Sequence, residues 1–73
     1  MSLEAIAQAE TLMVLGAKTN NLHGLKTGVE NYCQALWGSA SYKKARSFRP
    51  DMELFKSDRE RFFTELHDHM ESP

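Results

Sequence analysis

Seventy-three residues with a formal net charge of −1 make one small domain, spanning 1–73, and no more. A chain this short buries only about 60% of the surface its unfolded form exposes, so its core is marginal and oligomerisation is a natural supplement. The single cysteine, Cys33, excludes an internal disulfide, and the near-neutral charge gives no overall attraction to nucleic acid or anionic lipid.

The longest apolar run, Leu12 to Leu15, falls far short of the roughly 18 to 20 residues that span a bilayer. The amino terminus has no basic stretch followed by an apolar segment, which speaks against a secretory leader and for cytoplasmic residence. Val and Ile are sparse, and no window alternates apolar with polar residues. Strands are therefore not expected. The chain reads as all-α, a small bundle of three main helices with a short extra helical turn.

The first helix is predicted from about Leu3 to Leu15. Ser2 is a candidate N-cap, Glu4 suits the positive end of the helix dipole, and Gly16 marks the end. One apolar stripe holds Leu3, Ile6, Met13, Val14 and Ala17. A second face holds Ala5, Ala9, Leu12 and Gly16, flanked by Leu15. A peripheral helix of a small bundle needs one stripe only. Two stripes imply a helix that is either central in its own bundle or shared with another chain; on the second reading, the one preferred in so short a chain, Ala5, Ala9, Leu12 and Leu15 mediate a homodimer.

The second helix is predicted from about Leu22 to Trp37. Leu22, Leu25, Val29, Tyr32, Cys33, Leu36 and Trp37 step by threes and fours, the mark of an amphipathic helix. Asn20 or Asn21 can cap its start, and Gly38 stands where a left-handed residue is wanted. Gly24 and Gly28 fall on its polar side, where their small-xxx-small spacing either admits a closely packed helix or leaves a loose turn. Ser41 can then open a short turn through Tyr42, Ala45 and Phe48, which Pro50 ends.

The third main helix is predicted from about Met52 to Met70, capped by Asp51. Its apolar stripe is Met52, Phe55, Phe62, Phe63, Leu66 and Met70, and Arg61 with Glu65 has the spacing of a helical ion pair.

The charges are partitioned. Asn31 to Pro50 contains Lys43, Lys44, Arg46 and Arg49 and no acid, whereas Asp51 to Pro73 carries seven acids against three bases. The basic connector is the candidate partner-binding segment. Glu10 lies near the middle of the first stripe of helix 1, and Arg59 near the middle of the stripe in the last helix. A charge inside a buried stripe is costly unless paired. The two are therefore predicted to meet, within one chain or across a dimer, and to set register; the alternative is that each sits near a helix end or a cleft and reaches solvent.

No residue pattern points to catalysis. Cys33 sits on an apolar arc with no histidine spaced to activate it. His67 and His69 are two apart and point to opposite sides of a helix, so with Glu65, Asp68 and Glu71 they read as a solvated polar face. No metal and no cofactor are expected. The function expected is a non-enzymatic regulatory or adaptor protein acting on another, unidentified protein, of a size common among inhibitors of bacterial and phage-host regulators. The alternative is a nucleic-acid-binding module. It would use the basic connector with Tyr42 and Phe48 interleaved, or a helix-turn-helix with its turn at Gly16 and Thr19 to Lys26 as the reading helix.

Overall fold

The computed structural model describes residues 2–73. The first two helices, α1 (Leu3–Lys18) and α2 (Leu22–Trp37), form an antiparallel pair joined by three residues. Ser2 caps α1 by accepting from the Ala5 amide at 3.2 Å. At the other end Asn20 takes a positive φ of 53°, and the Asn21 amide reaches back to the Gly16 carbonyl at 2.7 Å. This closure satisfies carbonyls that a helix end would otherwise leave free. Asn21 then caps α2 in turn, its Oδ1 accepting from the Gly24 amide at 3.1 Å. One tripeptide thus ends one helix and starts the next, which makes a tight reversal.

Gly16 does not end α1 as expected; the helix continues two residues beyond it, to Lys18. Its role is close approach. A Cβ at position 16 would lie 2.6 Å from the Leu25 backbone nitrogen. A Cβ at position 28 would lie 2.5 Å from Met13 Cγ and 2.8 Å from the Met13 backbone nitrogen. Gly24 and Gly28 therefore belong to the α1–α2 seam, not to a polar face. The turn between α1 and α2 thus lies at residues 19–21 and not at Gly16, where the helix-turn-helix reading puts it.

Gly38 ends α2 with φ 91°, a region that side chains avoid. A 3-10 turn (Ser39–Ser41) leads into α3 (Tyr42–Ser47), and Pro50 separates it from the rest. The predicted single helix from Met52 to Met70 is two helices, α4 (Met52–Ser57) and α5 (Arg59–Glu71). Asp51 caps α4 through Leu54, as expected. Asp58 breaks the run: it is extended, with φ −150°, and its carboxylate accepts from the Arg61 amide at 3.1 Å. An aspartate offers the backbone this local alternative to a continued helix.

One continuous core joins the elements. Met13, Ala17, Leu25, Val29, Tyr32 and Cys33 from the first pair meet Ala45, Phe55, Phe62, Leu66 and Met70 from α3, α4 and α5. The break at Asp58 lets Phe55 and Phe62 meet edge to face, 5.0 Å between centroids, a favoured aromatic geometry. Among the described residues there is no strand, and no helix is long and apolar enough to cross a membrane.

Candidate functional site

The α1–α2 pair has two sides. One is covered by α3, α4 and α5. The other is open along the whole seam, where α1 and α2 alone line two shallow clefts. The first, of about 380 Å³, is bounded by Ala5, Gln8, Ala9 and Leu12 of α1 and by Asn31, Gln34 and Ala35 of α2. The second, of about 460 Å³, is bounded by Leu12, Leu15, Gly16 and Thr19, and across the seam by Asn21, His23, Gly24 and Thr27. Leu12 stands between them and belongs to both. Leu12 and Leu15 are 39% and 56% exposed, high for leucines within a packed helix.

The residues predicted for self-association thus separate. Leu12 and Leu15 project from the open side and Ala5 is half-buried beside them. Ala9 does not project: it is buried, and its carbonyl faces Gly28. The second apolar face of helix 1 is accordingly half covered by the chain's own α2, which takes Ala9 and Gly16. The remainder stays open. No carboxylate, lysine or arginine lines either cleft.

Glu10 and Arg59 do not pair within the chain. Both are exposed, and the ion pairs of the described residues are Arg61 with Glu65 at 3.2 Å and His67 with Glu71 at 3.7 Å. The reason lies in the break at Asp58. With α4 and α5 separate, Arg59 is the first residue of a helix instead of the centre of a continuous stripe. Its guanidinium sits over the Phe55 ring, 4.5 Å from the centroid, a cation–π contact.

The basic connector is also divided. Lys43, Arg46 and Arg49 are exposed, and Arg46 lies 5.6 Å from the Tyr42 ring centroid. Lys44 is half-buried and its ammonium donates to the Ser72 carbonyl, which ties α3 to the end of α5.

His67 and His69 are not a solvated face. His67 Nε2 lies 2.7 Å from the Tyr32 hydroxyl, and its ring meets Trp37 edge to face at 4.9 Å. His69 Nε2 lies 3.0 Å from the Lys44 carbonyl and 2.9 Å from Ser47 Oγ. The opposite directions of the two rings dock α5 on α2 and on α3 at once. Among the described residues no cluster of histidine, cysteine or acidic side chains could hold a metal ion.

Cys33 is fully buried and its thiol is pushed up to about 12, first by burial and then by the Glu30 charge. A thiol held in that state is a packing group, not a nucleophile.

Compared with protein-family models, curated proteins and solved structures, the chain matches none.

Proposed function

We propose that the chain is a small non-enzymatic regulatory or adaptor protein of the cytoplasm that acts by protein–protein binding as a homodimer. The open α1–α2 seam is its self-association surface. The observation that carries this reading is the composition of that seam: exposed Leu12 shared by two clefts and exposed Leu15 on the wall of the second, with no carboxylate, lysine or arginine lining either. Interface centres are depleted of charge in the same way.

The occupant is a second copy of the chain. A two-fold axis sets a surface against itself, so a charge near the axis would face its own sign. This seam has none to face. Its polar groups are Gln8, Asn31, Gln34, Thr19, Asn21, His23 and Thr27, and amides, hydroxyls and a neutral imidazole all donate and accept. Each can therefore bond to its own counterpart in another copy.

The exposed Lys43, Arg46 and Arg49 then face a second protein of acidic character. With Lys44 engaged by Ser72, three cations remain, a short track for a nucleic-acid backbone.

Light scattering over a concentration series tests the reading. The chain of 8.3 kDa is expected to approach twice that mass, with little dependence on salt because the contact is uncharged. Leu12→Glu with Leu15→Glu is expected to return it to a single chain with unchanged helicity, since both positions are exposed. A single-chain mass for the unsubstituted protein at every concentration overturns the dimer.

A further inference from the structure

We infer that the cleft between the end of α1 and the α4–α5 junction is a binding site for a doubly charged oxyanion, of which phosphate is the simplest. Three of the nine basic residues, Lys18, Lys56 and Arg59, converge on this cleft of about 370 Å³, over a floor of Val14 and Ala17. No carboxylate lines it, although acids outnumber bases in the chain. Neither ion pair of the described residues involves any of the three. Three like charges brought together without a counter-charge repel one another, and a bound anion removes that cost.

Two of the three cations are held in place. The Lys56 ammonium donates to Asn20 Oδ1 at 3.2 Å, and Asn20 is the left-handed residue that turns the chain out of α1. The Arg59 guanidinium rests over the buried Phe55 ring, which leaves its N–H edges free to fork onto an oxyanion. Lys18, in the last turn of α1, makes no hydrogen bond through its side chain among those of the described residues and is the mobile third arm. The seam proposed for self-association lies on another face of α1, so the two readings stand or fall separately.

The test is a titration of the full chain with inorganic phosphate at constant ionic strength, followed by backbone amide NMR shifts. Saturable shifts confined to 14–20 and 55–59 are expected, with acetate clearly weaker because it carries one charge. Lys18→Gln and Arg59→Gln should each weaken binding about tenfold, the scale of one lost charge-assisted hydrogen bond. Lys43→Gln with Arg46→Gln should leave it unchanged. Lys18→Gln keeps the test clear of folding defects, since that side chain supports no contact named above. Shifts centred on α3, equal binding of acetate, insensitivity to both cleft substitutions, or no saturation would each overturn the assignment.

Discussion

The Tyr32 hydroxyl of α2 lies 2.7 Å from Nε2 of His67 in α5, a polar link set among aromatic rings. Trp37 and Phe63 close around the pair, with Phe63 5.2 Å and Trp37 6.2 Å from the Tyr32 ring. The last helix is thus positioned by a directed bond as well as by burial. Tyr32→Phe keeps the ring and removes the bond. It should cost about 1 kcal/mol, read from urea denaturation, and should alter the His67 ring resonances in NMR.

The α1–α2 seam depends on two absent side chains. Gly28→Ala sets a methyl against the Met13 backbone, and Gly16→Ala sets one against the Leu25 backbone. Alanine gains about 1 kcal/mol in helix propensity over glycine, but overpacking against backbone that cannot yield costs about 1 to 3 kcal/mol. Gly28→Ala is expected to be net destabilising in thermal or urea melts. Gly24→Ala, whose nearest neighbour is the Asn21 side chain at 3.3 Å, should cost less.

Stability should fall above pH 9. Burial raises Cys33 from an ordinary value of 9.0 to about 12, and burial with nearby Glu10 raises Tyr32 above 10.0. Between each unfolded value and its folded one, the folded chain holds a proton that the unfolded chain has released. The unfolded state then binds fewer protons, so rising pH favours unfolding. Urea midpoints measured from pH 8 to 11 should decline, and Cys33→Ala should flatten the decline while lowering the starting stability through the cavity it leaves.

How much of this was legible in the residues depends on how each contact is made. Ser2, Asn21, Gly38, Pro50 and Asp51 act through local geometry, and they place the start of α1, both ends of α2 and the start of α4. The break at Asp58 was also present, as Ser57-Asp58 with Glu60 close behind. It was masked because Phe55 and Phe62 keep helical phase across it. That phase made Arg59 look buried and suggested its pairing with Glu10. The seam was misread for another reason. Glycine adds nothing to an apolar periodicity, so a contact between backbones at Gly16, Gly24 and Gly28 leaves no hydrophobic signal. The histidines read as a polar face in the sequence because imidazole is polar, whereas His67 and His69 also present ring edges and faces to Trp37, Tyr32 and Phe48.

Asn20 carries two duties, and they can be separated. Asn20→Ala keeps a Cβ in the left-handed region but loses the short amide that makes asparagine tolerant of it, and should cost about 1 kcal/mol. Asn20→Gly removes that strain and should restore most of the stability. Both lose the oxygen that holds Lys56, so both should weaken phosphate binding at the cleft. Melting curves set beside phosphate titrations of the two variants distinguish the roles.

The proposed function requires a second copy of the chain to cover Leu12 and Leu15. An isotope-filtered NOE experiment on a mixture of labelled and unlabelled chains reads that contact directly. Cross-peaks from the Leu12 and Leu15 methyl groups to Gln8, Thr27 or Asn31 of the other copy are the expected result. Intermolecular cross-peaks arising only from α3 or α5, or none at a concentration where the mass has doubled, would contradict it.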